Sequence, residues 1–193
     1  MGAQVHGAQK FDQAKRADIK FSEEAMKTVE LIISRYPQGK QKSALLPVLH
    51  VAQAEFGGWL SPEVMDYVAS VLNIKPIEVF EVASFYTMFN LKPVGKCVLE
   101  VCQTSSCWLN GAEDIVKYIE KKLNIKVGET TKDGMFTLKV AECLGSCGTA
   151  PMLQCGASFH ENLTYEKVDA IIDNYKAEGR LRSYTDLDYK NTL

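Results

Sequence analysis

Cys102 and Cys107 bracket four residues, and Cys143 and Cys147 bracket three. Thiolates in two close pairs suit a metal centre, because each loop then supplies two ligands. The chain has six cysteines, and the other two, Cys97 and Cys155, stand apart. Disulfides suit short exported chains, and the stretch Met1 to Phe21 lacks the apolar core and cleavage site of a secretory leader. A thioredoxin-type redox disulfide needs two intervening residues, a spacing absent here. Zinc accepts four thiolates, but its usual pairs also bracket two residues. Zinc is therefore the strongest competitor, and the spacing favours a [2Fe–2S] core. The plant-type ferredoxin run does not match. Such a core is an anion and becomes more negative when it takes an electron. Its loops must then present donors, and Ser105, Ser106, Gly145, Ser146 and Gly148 leave backbone N–H groups free to approach the sulfurs.

The chain must position those loops. Residues 22–90 read as about four helices. Ser22 precedes Glu23 and Glu24, a capping hydroxyl before an acidic first turn. Val29, Ile32, Ile33 and Tyr36 recur at helical spacing until Pro37-Gln38-Gly39. A second helix is expected from Ser43, with Pro47 in its first turn and Gly57-Gly58 as its stop rather than a phosphate cradle. Ser61-Pro62-Glu63 opens a third that runs to Asn73, and Lys75-Pro76 opens a fourth. Tyr86, Met88 and Phe89 form an apolar patch, read as inter-domain core ahead of partner contact.

Past Lys92-Pro93-Val94-Gly95 the period shortens. Cys97, Leu99 and Val101 mark a strand, and Asn110 with Glu113 looks like a capping pair for a helix through Ile115, Ile119 and Leu123. Phe136, Leu138 and Val140 mark another strand, and a hairpin is expected around Gly156. Thr164 caps a last helix, with Val168, Ile171, Ile172 and Tyr175 inward and Gly179 at its end. This is the order of a thioredoxin-like domain. The expected class is α+β: a helical bundle over residues 21–92, then a thioredoxin-like α/β domain over 96–180, with tails at 1–20 and 181–193. Both cysteine pairs would leave the same end of two neighbouring strands, one iron per loop. Cys97 and Cys155 fall within strands and are read as packing residues, although either could replace one of the four. His6, His50 and His160 are lone histidines, and no role is assigned to them.

The 193 residues are 46% hydrophobic and 24% charged, an ordinary balance for a packed core. A net charge of -2 argues against nucleic-acid binding. No apolar run approaches the roughly 20 residues of a membrane span, so no direct insertion is expected. G-x-G-x-x-G, P-loop and H-E-x-x-H patterns are absent from the sequence. An electron carrier with no donor site of its own implies a partner.

The sequence resembles the 24-kDa-type flavoprotein-fragment subunits of the proton-pumping NADH:quinone oxidoreductases, over about residues 20–180. The resemblance rests on Ala83-Ser84-Phe85-Tyr86-Thr87-Met88-Phe89, on the two cysteine pairs, on Glu142 through Pro151, and on Glu161-Asn162-Leu163-Thr164. It implies Cys102, Cys107, Cys143 and Cys147 as ligands of one [2Fe–2S] cluster. It also implies docking on a larger FMN- and NADH-binding subunit, and a cytoplasmic place peripheral to the inner membrane through the complex. The electron would be held off the main route, shortening the life of the half-reduced flavin. Related subunits of NAD-linked hydrogenases and formate dehydrogenases, and a structural zinc-binding bridging module, are the alternatives.

Overall fold

The computed structural model describes residues 19–179. His6, the tail from Ser183 and all but the last two residues of the N-terminal tail lie outside the described residues. Helix α1 spans Glu23–Ser34, and the Ser22 hydroxyl accepts from the Ala25 N–H, as its sequence signal required. A 3-10 turn, Gln41–Ala44, leads into α2, Leu45–Glu55, so the helix expected from Ser43 begins as a tighter turn. Gly57 and Gly58 follow at φ +80° and +85°, conformations that halt the helix. Helix α3, Pro62–Leu72, has Pro62 at its first position and Asn73 in the left-handed region at its end. Ser61 accepts from the Val64 N–H at 3.2 Å. Ser61→Ala is expected to cost about 1 kcal/mol in urea unfolding. Helix α4, Pro76–Phe85, completes this part.

These helices bury one cluster, with Val29, Leu49, Val68, Leu72 and Val79 at its centre. Phe89 belongs to it, 4% exposed, its ring 5.0 Å from that of His50. The expected apolar patch therefore divides: Phe89 fills the helical core, while Tyr86 is exposed.

The second cluster lies between a sheet and two helices. Strands β1 (Cys97–Cys102), β2 (Phe136–Ala141), β3 (Leu153–Cys155) and β4 (Ser158–His160) run in the order β2-β1-β3-β4. β1 and β2 are parallel, and the other pairings are antiparallel. The parallel pair demands a crossover, supplied by the short α5 (Ser105–Leu109) and α6 (Ala112–Leu123). Helix α6 and the last helix α7 (Tyr165–Glu178) bury Ile119 and Ile172 in one cluster with Leu99, Phe136 and Leu138. The two helices are joined by stacked Tyr118 and Tyr165 rings and by Asp169, which accepts from Tyr118 at 2.8 Å and from Lys122 at 2.6 Å. Thr164 caps α7 and Gly179 ends it at φ +67°.

One cap differs from expectation. Gly111, at φ +88°, occupies the N-cap of α6, whereas Asn110 ends α5 and turns its amide to the Ser106 carbonyl at 2.7 Å. Asn90 joins the two parts: it accepts from Lys139 Nζ at 3.0 Å and donates to Gly58 at 2.9 Å. A cavity of about 490 Å³ lies between them, lined by His50, Gln53, Met88, Glu100 and Gln154 among others. Among the described residues no helix is long and apolar enough to cross a membrane.

Candidate metal centre

Cys102 is the last residue of β1, directly across from Ala141, the last of β2. Because the pair is parallel, both strands release their loops at one end. The Gln103 N–H still reaches the Ala141 carbonyl at 3.0 Å, which holds the two loops side by side as they leave. The first loop turns at once into α5, which carries Cys107 on its buried side and leaves Trp108 and Leu109 60% and 75% exposed. The second loop carries Cys143 and Cys147, both exposed, with Gly145 at φ +79° between them. Its Leu144 side chain packs against the core and pins the loop's middle.

The structure brings Cys102 and Cys107 together and leaves Cys143 and Cys147 on the facing rim. Among the described residues no three His, Cys, Asp or Glu side chains gather closely enough to hold a single ion. Electrostatics couple the loops nonetheless. Burial pushes the Cys102 thiol up, but the N–H groups of Thr104 and Leu144, one from each loop, together with the Cys107 thiol and the Thr104 hydroxyl, outweigh it and leave the thiol below its ordinary value. Cys107 is pushed up to about 11, by burial first and then by the Cys102 thiol, with a smaller effect from Cys147 across the gap. Amide donors aimed at a sulfur from both loops are what a thiolate-rich anion needs. The donor set therefore fits an iron–sulfur core.

Glu161, at the β4–α7 junction, supplies a support that spacing alone did not reveal. Its carboxylate accepts from the hydroxyls of Ser146, a very short contact, and of Thr149 at 2.6 Å. The Asn162 N–H adds a bond to the Thr149 carbonyl at 2.7 Å, and the Leu163 N–H one to Pro151 at 2.9 Å. The bonds from Ser146 and Thr149 hold the Glu161 carboxyl below the usual carboxylate range. Its only sequence signal was the Glu161–Thr164 segment within the family resemblance. Glu161→Ala removes the carboxylate that ties both hydroxyls to the β4–α7 junction and leaves them only the bonds within their own loop. If the loop cysteines hold iron, its release to a chelator is expected to quicken by about 10-fold, since groups that orient metal ligands govern retention on that scale.

Cys97 and Cys155 are placed elsewhere. Cys97 begins β1, five residues before Cys102, which puts it roughly 17 Å from the loops at strand rise. Cys155 pairs with Leu99 rather than with the rim. His160 meets the Tyr175 hydroxyl at 2.9 Å, and burial lowers the pKa of both His50 and His160.

A profile of the thioredoxin-like [2Fe–2S] ferredoxins matches residues 29–176. The chain belongs to that family. Among its relatives is an NADH-quinone oxidoreductase subunit of Rickettsia felis, 47% identical over 80% of this chain and 93% of the relative. Another is the mitochondrial NADH dehydrogenase [ubiquinone] flavoprotein 2 of Dictyostelium discoideum, 42% identical over 86% of this chain and 67% of that protein. The expected kinship with the 24-kDa-type subunits is thereby met. The fold is also shared with an NAD+-reducing [NiFe]-hydrogenase in the H2-reduced state, at a TM-score of 0.61 and 21% identity. That match covers 69% of this chain and 22% of the hydrogenase chain. The thioredoxin-like ferredoxin architecture thus agrees with the α+β class expected from periodicity.

Proposed function

We propose that this chain is an electron-transfer subunit of an NADH:quinone oxidoreductase, in which Cys102, Cys107, Cys143 and Cys147 hold one [2Fe–2S] cluster. The observation that carries the reading is the parallel pairing of β1 and β2, which ends at Cys102 and Ala141 and sends both cysteine loops off one edge. The cluster supplies a place for one electron at a time. The chain's own residues do the rest. Cys102 and Cys107 lie in the core end of the site, so one side of the cradle is shielded from water. Thr104 and Leu144 direct amides at sulfur, and Glu161 fixes the outer loop.

The chain divides functionally at residues 92–96, the helical part 21–92 serving as docking surface and 96–180 as the redox domain, flanked by tails at 1–20 and 181–193. The partner is a larger FMN- and NADH-binding subunit, and the complex holds the chain at the cytoplasmic face of the inner membrane. Trp108 and Leu109, exposed beside Cys107, offer that partner apolar surface next to the cluster. Relatives at 42% and 47% identity favour this complex over the hydrogenase, whose likeness is in fold.

The reading is tested by reducing the anaerobically purified full chain with dithionite and recording its electron paramagnetic resonance. About one spin per chain is expected from a single reduced cluster; a silent spectrum with no bleaching of visible absorbance contradicts it. In the assembled complex, Cys143→Ser is expected to change the lifetime of the partner's half-reduced flavin more than turnover. Complete loss of quinone reduction would place the electron on the main route instead.

A further inference from the structure

Cys97 and Cys155 take no part in the cradle, yet they are not isolated. Cys97 opens β1, Cys155 closes the neighbouring antiparallel β3, and their Sγ atoms stand 3.2 Å apart. That distance is roughly 1.2 Å longer than a disulfide bond, and the sulfurs sit on one face of adjoining strands. Both residues are buried, at 1% and 0% exposure, and both are free thiols. The thiol of Cys155 is pushed far up, by the Cys97 side chain first and by burial second. All four cysteines of the proposed cluster lie between Cys97 and Cys155 in sequence, a separation of 58 residues. A bond between the two would close one covalent loop around the whole cradle, joining the strand that leads into Cys102 to the strand that follows Cys147.

We propose that Cys97 and Cys155 are a disulfide-forming site, closed by hydrogen peroxide, that locks β1 to β3 beneath the cysteine loops. Because Cys155 is held protonated, Cys97 Sγ is the sulfur that attacks peroxide: the O–O bond breaks, one oxygen stays on Cys97 as a sulfenic acid, and the other leaves as water with the thiol proton. The second sulfur then displaces the sulfenic hydroxyl, which departs as a second water with the remaining thiol proton. Two thiols lose two electrons and two protons, and one peroxide accepts them. Burial decides both the oxidant and the pace. At 1% and 0% exposure the sulfurs are reached only when the strands open locally. Such opening admits peroxide, near the size of water, but not a bulky disulfide such as oxidised glutathione, and the reaction is slow. The closed form constrains the unfolded chain and raises resistance to unfolding.

The test uses the full chain purified without oxygen, treated with hydrogen peroxide, quenched in acid, then denatured and alkylated. Tandem mass spectrometry after proteolysis is expected to find Cys97 linked to Cys155, and oxidised glutathione at equal concentration to leave both alkylated. The urea midpoint should rise with the linked fraction, and the rise should vanish in Cys155→Ala and, independently, in Cys97→Ala. Two variants guard against one that fails to fold. Full recovery of Cys97 and Cys155 as alkylated thiols after peroxide overturns the proposal. So do cross-links confined to Cys102, Cys107, Cys143 and Cys147.

Discussion

Cys143→Ser is expected to strip the chain of most of its bound iron and sulfide while leaving the fold intact. Of the four proposed ligands, Cys102 and Cys107 are 4% and 3% exposed, so their replacement disturbs packing as well as ligation. Cys143 is exposed and belongs to neither core cluster. A serine there removes a thiolate and little else. Iron should fall from about two per chain to less than half of that, with sulfide falling in step. Stability in urea should stay within about 0.5 kcal/mol of the parent, as for other surface changes, once both are compared without metal. Retention of full iron and sulfide would remove Cys143 from the ligand set.

Gly95→Ala is expected to be strongly destabilising for the addition of one methyl group. A Cβ at this position would lie 2.9 Å from the Met135 carbon and oxygen and from the Phe136 carbon, all of them backbone. Backbone cannot give way as a flexible side chain does. The approach is fixed from both sides: the Gly95 N–H donates to Thr137 Oγ1 at 2.6 Å, and the Cys97 N–H to the Met135 carbonyl at 2.8 Å. Relief requires β1 and β2 to part at the edge where their pairing begins. The cost is expected at about 3 kcal/mol, the upper end for forced overpacking, read as a lower urea midpoint at unchanged slope. Because β1 also carries Cys102, the same variant should lose iron faster than Cys155→Ala, which leaves the pairing of β1 with β2 untouched.

Much of this architecture was legible because its signals are local. Ser22, Ser61-Pro62, Thr164 and Gly179 act on backbone groups within four residues, and each sits where its chemistry suggests. The alternation in β1 and β2 likewise shows directly in the sequence, and with it the common edge for both cysteine loops. What the sequence conceals is either very short or distant along the chain. Helix α5 has 5 residues, too few to show a period, so the segment around Cys107 read as plain loop. Asn110 carried a valid capping side chain, but the Ser106 carbonyl one turn earlier captured its amide and left the cap to Gly111. Glu161 reaches Ser146 across 15 residues, and Cys97 meets Cys155 across 58. No local pattern encodes either contact. Phe89 was grouped with its sequence neighbours, although the turn after α4 sends it back into the helical core beside His50.

The most direct test of the central claim is the content of iron, zinc and acid-labile sulfide in the full chain purified without oxygen. The account predicts about two irons and two sulfides per chain with negligible zinc. About one zinc and no sulfide would contradict it, and would make the cysteine loops a structural clasp between partners.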